Sequence, residues 1–168
     1  VRPLLQPAEA AEHAEPVWLP NGSSFYLATN NGRDRQALAL FEMASGRLRI
    51  VGAPAGEVEQ VRLSSDGRWL AWLINTGGFH SLQLLDRRTN ARRPAPELPA
   101  GALEINFARN APVLSIRVSG ATAVGAVHAW NVETGEVAQP VRTQWAGLDP
   151  ATLVTPELLR FKARDGVE

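Results

Sequence analysis

Short apolar segments alternate with turn residues along most of the chain, and this pattern recurs about every 45 residues. Residues 18–28 align with 63–72 and again with 107–116. Each copy contains an apolar residue, a small residue, Asn or Asp, a turn residue and then an apolar run. Because the same order of residue types occurs three times in one phase, the chain is predicted to contain tandem structural repeats.

Turn-forming residues mark a second fixed point in each repeat. Three further similar segments end at Gly46, Asn90 and Gly135, which are 44 and 45 residues apart. Glycine and asparagine accept a left-handed backbone better than other residues do, so we expect a positive φ at all three positions.

The apolar runs of the first block each follow a candidate hairpin turn. Asn21-Gly22 and Asp66-Gly67 are typical of two-residue turns, in which both central residues have positive φ. The third copy has Asn110-Ala111-Pro112 at this point, and we expect a different type of turn there.

Between these turns the sequence predicts short strands. The second strands of the repeats are expected at 25–29, 69–74 and 113–118. Apolar residues occupy both alternating sets of positions in these second strands, which indicates burial between two layers. The third strands are similar in this respect and are expected at 36–42, 80–86 and 125–131. The fourth strands carry more charge and proline, as outer edges do, and are expected at 47–51, 91–94 and 136–141.

Four hairpin-linked antiparallel strands in about 45 residues are typical of one blade of a β-propeller. The predicted fold is therefore all-β, a propeller fragment of about three four-stranded blades, and a β-sandwich is the alternative. The blades are placed at 15–56, 57–99 and 100–143, between an N-terminal extension at 1–14 and a non-blade tail at 144–168. The extension is interpreted either as a helical turn or as the remnant of a preceding blade's outer strand.

Three blades are too few to close a ring, because known propellers have about four to eight. Apolar blade faces are therefore expected to lie exposed at both ends, and large apolar patches favour association. The chain is interpreted either as part of a larger propeller or as a unit of which several copies assemble through these faces. Its first residue, Val1, is not Met, which agrees with the first interpretation.

Composition narrows the classes of function. Seventeen basic residues cancel seventeen acidic ones, so no net field attracts nucleic acid or an anionic membrane, and neither partner is expected. The chain has no cysteine, which excludes thiolate catalysis and cysteine-ligated zinc. No apolar run approaches the ~18 residues that a membrane span needs. The compartment is not fixed by the sequence, although a cytoplasmic location is slightly favoured over a periplasmic one.

The tail, 155–168, resembles the junction at which the propeller of prolyl oligopeptidase family serine peptidases meets the α/β-hydrolase domain. The family pattern contains Pro-Glu, an apolar pair, an aromatic residue, a small residue and Asp-Gly. This chain matches it with Pro156-Glu157, Phe161, Ala163 and Asp165-Gly166. The blades resemble the WD-like repeats of this family and of TolB-type propellers, in which Ser-Pro-Asp-Gly precedes the second strand. Here the motif reads Ser64-Ser65-Asp66-Gly67, with Ser in place of Pro.

This resemblance implies a non-catalytic propeller that gates a peptidase and positions its short peptide substrates. The implied partners are the α/β-hydrolase domain of the parent chain and short peptides, and the catalytic Ser, Asp and His would lie beyond Glu168. A TolB- or WD-type scaffold for protein–protein binding is the alternative. A propeller lyase or glycosidase is a third interpretation, in which acids of the inner strands line the channel, at Glu57, Glu59 and Glu104.

The residues themselves contain no catalytic motif. The Gly-x-Ser-x-Gly elbow that exposes a serine nucleophile is absent. His80 and Ser81 are neighbours on a predicted strand, so their side chains point to opposite faces and are poorly placed as base and nucleophile. His128 is expected to be a partly buried, hydrogen-bonding residue, and no His/Asp/Glu cluster has the spacing of metal ligands. We therefore assign no catalytic, cofactor-binding or metal-binding residue and expect no cofactor.

Other candidate motifs have structural explanations. Segment 120–125 is similar to the start of a phosphate loop but lacks its lysine and hydroxyl residue, so a hairpin loop is expected. Asn21-Gly22-Ser23 fits the glycosylation sequon and is interpreted as a hairpin turn. A charged hairpin edge, with the chemistry to hold a carboxylate or phosphate, is expected at Arg87, Arg88, Arg92 and Arg93.

Overall fold

The computed structural model describes residues 3–6, 9–142, 144–154, 156–159, 161–164 and 166. Within this part the chain forms twelve strands in three four-stranded sheets and one short 3-10 helix, Pro150–Thr152. The first blade consists of β1 (His13–Trp18), β2 (Ser24–Thr29), β3 (Ala37–Glu42) and β4 (Arg47–Gly52). The second consists of β5 (Glu57–Leu63), β6 (Trp69–Thr76), β7 (Phe79–Asp86) and β8 (Ala91–Arg93). The third consists of β9 (Ala102–Phe107), β10 (Val113–Gly120), β11 (Ala123–Asn131) and β12 (Val137–Val141).

Each strand pairs antiparallel with the strand before it in its blade, so the order along each sheet is the order along the chain. Strand β5 contacts both β1 and β9, which places the first strand of every blade on the inside. The last strands lie at the outer edge, and β8 and β12 are exposed throughout. The predicted all-β architecture of three propeller blades is therefore confirmed. Residues 9–12 are not helical, and β1 begins at His13, two residues before the predicted blade boundary.

The core lies between the blades. Tyr26 and Trp72 belong to a buried cluster between the first and second blades. Trp69, Ile105 and Ile116 belong to a second buried cluster, between the second and third blades. Strand β6 contributes to both clusters because its successive side chains point to opposite faces. Burying each such side chain contributes about 1.5–3 kcal/mol, so packing of blade on blade is the main source of order in this fold.

The prediction of two apolar faces is confirmed for β2 and β6, where both alternating sets are buried, and is wrong for β10. In β10, Leu114 and Ile116 are buried, whereas Ser115 and Arg117 are exposed. Arg117 Nη1 lies 3.5 Å from Glu104 Oε2 on the neighbouring strand β9. On the outward face of the third blade, the half formed by β9 and β10 is therefore polar. The other half is apolar, since Val127 of β11 and the exposed Val141 of β12 lie in register with Arg117 on the same face.

The outward face of the first blade is apolar, as expected. Phe25, Leu27 and Phe41 form part of a buried cluster there, and Leu5 packs against it. Trp18 lies beside Phe25 with 4.7 Å between the ring centroids, and it is 49% exposed. Residues of the N-terminal segment thus cover part of this face and leave another part open.

The turns before β2 and β6 are not the predicted two-residue turns. Only the glycine of each pair has a positive φ, 67° at Gly22 and 72° at Gly67. The N–H of Gly22 donates to the carbonyl of Leu19 at 2.9 Å, and the N–H of Gly67 donates to that of Ser64 at 2.8 Å. In each turn the N–H of the glycine makes the closing hydrogen bond, and the positive φ of the glycine then redirects the chain into the strand.

Asn21 and Asp66 act through their side chains instead of through a left-handed backbone. Asn21 Oδ1 accepts a hydrogen bond from the N–H of Ser23 at 3.1 Å, and Asp66 Oδ1 accepts one from the N–H of Arg68 at 3.0 Å. This is the local side-chain-to-backbone bond for which Asn and Asp are favoured in turns. The prediction that these residues form turns is therefore confirmed, and the predicted type, a two-residue turn, is wrong.

The turn of the third copy differs from the other two, as predicted. The N–H of Ala108 still donates to the carbonyl of Val113 at 2.8 Å, which closes the hairpin. No hydrogen bond from Ala111 to Ala108 is found among the described residues, although its equivalents close the other two turns. The second set of turn residues also follows the prediction, with φ of 65° at Gly46, 56° at Asn90 and 84° at Gly135.

Candidate functional site

Polar side chains of the innermost strands meet along the inner edge of the three blades. Arg62 of β5 donates from Nε to Asn106 Oδ1 of β9 at 3.0 Å, and it forms an ion pair with Glu15 of β1. One guanidinium therefore joins the first strands of all three blades. Glu15 has a φ of 53° and lies in the bulge of β1 between Ala14 and Val17. Such a conformation costs of order 1–3 kcal/mol for a non-glycine residue, so the surrounding contacts must hold it.

A second polar group joins the second and third blades at the inner edge. His80 Nε2 lies 2.7 Å from Glu59 Oε2, and the N–H of Leu103 donates to His80 Nδ1 at 2.8 Å. The carbonyl oxygen of Leu103 also lies 3.1 Å from Nδ1, so this ring contacts both backbone groups of Leu103 in the third blade. Asn75 Nδ2 donates to the other oxygen of Glu59 at 2.6 Å. Both oxygens of this carboxylate are therefore bound within the second blade, and the contact of His80 with Leu103 makes the link to the third.

The structure does not bring together the three acids predicted to line a channel. Glu59 is bound by His80 and Asn75, and Glu57 lines a cleft at the rim. Glu104 lies on the outward face of the third blade, where it pairs with Arg117. No facing pair of carboxylates of the glycosidase type is therefore formed by these three residues.

The rim cleft has a volume of about 760 Å³ and lies between loops of the second blade and the C-terminal tail. Gly77, with a φ of 64°, forms one wall, and a Cβ placed on it would lie 2.6 Å from Leu158 Cδ2. The glycine is therefore required both by the turn and by the close approach of the tail. Leu159 and Phe161 also line the cleft, and they are 79% and 81% exposed.

The tail places part of its predicted junction motif beside this cleft. Glu157, Phe161 and Ala163 lie within the described residues, and Phe161 and Ala163 line the cleft. Asp165 lies outside the described residues. The described residues of 156–166 contain no strand.

The histidines follow the sequence predictions in part. His80 and Ser81 occupy opposite faces of β7, and Ser81 is exposed, so they form no base–nucleophile pair. His128 of β11 is half-buried as predicted, but its Nε2 has no hydrogen-bond partner among the described residues. His13 Nδ1 lies 2.8 Å from Thr29 Oγ1 on the neighbouring strand β2. None of the three is placed for catalysis by the described residues.

The arginines near the turn after β7 also contact aromatic side chains, in addition to forming the predicted charged edge. Arg87 Nε donates to the Tyr26 hydroxyl at 3.2 Å, which joins the second blade to the first. The guanidinium carbon of Arg92 lies 5.3 Å from the ring centroid of Trp72. Sequence reasoning missed these contacts because the aromatic partners come from other strands and another blade.

The Ser-Ser-Asp-Gly motif has a structural role in the second blade. The Ser64 hydroxyl donates to Asp66 Oδ1 at 2.5 Å and lowers the pKa of that carboxyl. Arg68 donates from Nη2 to Asp86 Oδ2 at 2.9 Å, and this bond lowers the pKa of Asp86. Arg68 also pairs with Glu133 of the third blade, so the hairpin turn is tied to the next blade.

Two classes of site are not found in the described part of the chain. No group of three or more His, Cys, Asp or Glu residues there could hold a metal ion. Searched over the same residues, the structure contains no helix with the length and apolar character of a membrane span.

No protein-family model matches the chain, and no curated protein sequence matches it. Several solved structures, in contrast, are similar to the chain. Prolyl oligopeptidase B from Galerina marginata, bound to a 35mer hydrolysis and macrocyclization substrate, matches with a TM-score of 0.80 and 17% identity over 99% of this chain. Puromycin hydrolase matches with a TM-score of 0.75 and 19% identity over 98% of this chain. The chain spans 24% and 25% of these two proteins.

TolB from Acinetobacter baumannii is also similar, with a TM-score of 0.62 and 12% identity over 81% of this chain and 33% of its own. At these levels of identity the comparisons establish the propeller fold. They show a propeller region similar to those of prolyl oligopeptidase-type proteins and also to TolB.

Proposed function

We propose that this chain is the non-catalytic propeller part of a prolyl oligopeptidase-like serine peptidase, where it gates and positions short peptide substrates. One observation carries the proposal, namely how much of the chain each structural match includes. The blades, His13–Val141, make up about three quarters of the chain. The match to TolB includes 81% of the chain, whereas the match to prolyl oligopeptidase B includes 99% and therefore extends over the tail.

The geometry of the tail supports the same proposal. Leu158 packs on Gly77, which anchors the tail at the blade rim. Leu159 and Phe161 stand almost fully exposed beside it, and exposed apolar side chains in a row are typical of a surface that contacts another domain. An α/β-hydrolase domain placed after the tail would cover them.

The proposed role is one of exclusion and positioning. In such a peptidase the bond chemistry belongs to the hydrolase domain, and the propeller limits which peptides reach it. The inner edge, lined by the bound polar groups of Arg62, Glu59 and His80, is the part of this chain that a passing peptide would meet.

A scaffold for protein–protein binding is the second candidate, favoured by the similarity of the three blades to TolB. The coding sequence after residue 168 distinguishes the two candidates. The peptidase proposal predicts a strand and then, in order, Gly-x-Ser-x-Gly, Asp and His. A further blade at that point would instead support the scaffold and overturn the proposal.

Enzyme kinetics then test gating in the parent protein. Glu57 is exposed on the inner strand β5, and Glu97 is exposed on the loop after β8. We expect Glu57→Lys to change kcat/KM for peptides of different lengths unequally, and Glu97→Lys, which makes the same change of charge, to leave their ratio unaltered. An unaltered ratio in both variants would show that the start of the inner strand β5, where Glu57 lines the rim cleft, does not select substrates. The isolated chain is expected to hydrolyse no chromogenic short peptide.

A further inference from the structure

A cavity of about 350 Å³ opens at the outer side of the seam between the first and second blades. Its inner wall is apolar and aromatic, with Tyr26, Leu70 and Trp72 from the second strands of the two blades. Its mouth lies at the outer strands, where Arg49 of β4 and Arg92 of β8 face each other across the seam. It is separate from the inner edge and from the rim cleft, so it plays no part in the proposed function.

The charges at this cavity are all of one sign. Two arginines and no acidic residue line it, and all of its lining residues are among those the structure describes. The side chain of Arg49 is exposed, and its guanidinium has no hydrogen bond or ion pair with any described residue. Arg92 is held in place, because Nη1 donates to Gln83 Oε1 at 3.0 Å and the guanidinium lies over Trp72. The cavity is therefore lined by the guanidinium of Arg49, which has no bound partner among the described residues, and by that of Arg92, which is held in place. Both lie at the mouth of an apolar and aromatic wall.

This combination defines the chemistry of an occupant. An apolar body would be buried against Tyr26 and Trp72, and a single anionic group at the mouth would accept hydrogen bonds from Arg49 and Arg92. Guanidinium groups bind carboxylates through paired, parallel hydrogen bonds, which a neutral polar group does not reproduce. We propose that this cavity, between the outer strands of the first two blades, binds an aromatic or branched apolar monocarboxylate.

A series of three ligands with one apolar body tests the charge requirement on the 168-residue chain. Calorimetric titration compares 4-phenylbutyrate, 4-phenyl-1-butanol and 4-phenylbutylamine. Because a charge-assisted hydrogen bond is lost with the carboxylate, we expect the alcohol to bind about tenfold more weakly than the acid, and the amine more weakly still. Equal affinity for acid and alcohol, or no binding of the acid, would overturn the proposal.

Two arginine variants locate the site. Arg49 and Arg47 are exposed on the same face of β4, but only Arg49 lines the cavity. Arg49→Gln is expected to weaken 4-phenylbutyrate about tenfold, while Arg47→Gln leaves its affinity unchanged. If both variants weaken binding alike, the ligand senses only general surface charge and the assignment fails.

A third variant tests the apolar part independently of charge. Val51 is half-buried in the wall, and Val51→Phe fills space without changing charge. This variant is expected to lose binding of acid and alcohol together while its thermal unfolding stays cooperative. Undiminished binding to a cooperatively folded variant would place the ligand elsewhere.

The carboxylate has two sources to distinguish, a free acid or the C-terminus of a peptide. N-acetyl-glycyl-phenylalanine presents the same group on a peptide, and its amide is the matched control. Tighter binding of this peptide than of 4-phenylbutyrate, lost in the amide, assigns the cavity to a peptide C-terminus. Weaker binding assigns it to a free acid, and both results support an apolar monocarboxylate site.

Discussion

At the scale of single residues, several charged side chains of this protein join one strand or blade to another. Arg68 is an example, since it binds Asp86 within the second blade and Glu133 in the third. Asp86 is buried, and its Oδ1 also accepts a hydrogen bond from the N–H of Arg88 at 2.9 Å, so the carboxylate satisfies several donors at once. A buried acceptor of this kind is costly to remove because its donors lose their partner.

This bonding makes stability depend on pH. The hydrogen bonds from Arg68 hold the pKa of Asp86 below its usual 3.8, so the charged form is favoured in the folded state. The stabilisation is present above that usual value and is lost as the pH falls through the lower pKa of the folded state. We therefore expect the free energy of unfolding to fall as the pH is lowered below about 4.

Denaturant titrations between about pH 2 and pH 7 test this expectation in Asp86→Asn. The variant should be less stable at neutral pH, and its stability should change less at acid pH than that of the unaltered protein. Glu97→Gln, at an exposed loop position, should keep the original profile. A steep acid loss that persists in Asp86→Asn would show that other carboxyls cause it.

At the scale of elements, equivalent positions in the repeats carry different chemistry. Asn21 and Asp66 bind the backbone of their turns, but no side-chain bond of Asn110 is found among the described residues. The third turn is instead shaped by Pro112, whose ring fixes φ. The repeat therefore keeps the place of a turn and changes the contacts that stabilise it.

The contribution of these side chains can be measured by alanine substitution at matched positions. Asp66→Ala removes the bonds to Arg68 and Ser64, and we expect it to lower the free energy of unfolding by about 1 kcal/mol. Asn110→Ala should change it by less than about 0.5 kcal/mol, as most surface substitutions do. Chemical denaturation compares the two, and an equal loss would contradict the assigned difference between the turns.

At the scale of the whole molecule, the two ends of the row of blades differ. The outward face of the first blade is apolar and leaves Trp18 half exposed, whereas that of the third carries the Glu104–Arg117 pair. A head-to-tail assembly of identical chains would press the Glu104–Arg117 pair against the apolar face of the first blade and desolvate both charged groups at a cost. Contact between two apolar faces, or with a further apolar blade, avoids this cost.

Self-association of the isolated chain is therefore expected to depend on the first blade. Trp18→Lys should weaken it about tenfold, because burial of one large aromatic side chain is lost. Ser115→Lys adds the same charge beside Arg117 on the outward side of β10 and should have little effect. Sedimentation velocity over a range of concentrations measures both. Equal weakening, or a chain that is monomeric throughout, would contradict this account.

Local patterns in the sequence determined the fold class, the number of blades and the places of the turns. The spacing of apolar residues that predicts a strand is a local property of the sequence. The preference for a left-handed backbone is local too, at Gly46, Asn90 and Gly135. Both can therefore be predicted without the tertiary structure. The prediction of two-residue turns was wrong because Asn and Asp can stabilise a turn in two ways. They can adopt a left-handed backbone, or their side chain can accept a hydrogen bond from the backbone, and the residue type does not decide between the two. The two-faced apolar prediction for β10 failed because Ser115 and Arg117 already gave one face a polar pattern.

Only the tertiary structure decided which residues meet across the blades. Arg62 reaches Glu15 and Asn106, which lie 47 and 44 residues away, and His80 reaches Leu103. The separations from Arg62 are close to one repeat, as expected for the first strands of adjacent blades. Which side chains then bond depends on the angle and the distance at which one blade packs on the next, and the repeat does not give these. The apolar cavity with two arginines at its mouth has the same origin, since each blade supplies one arginine and one aromatic wall.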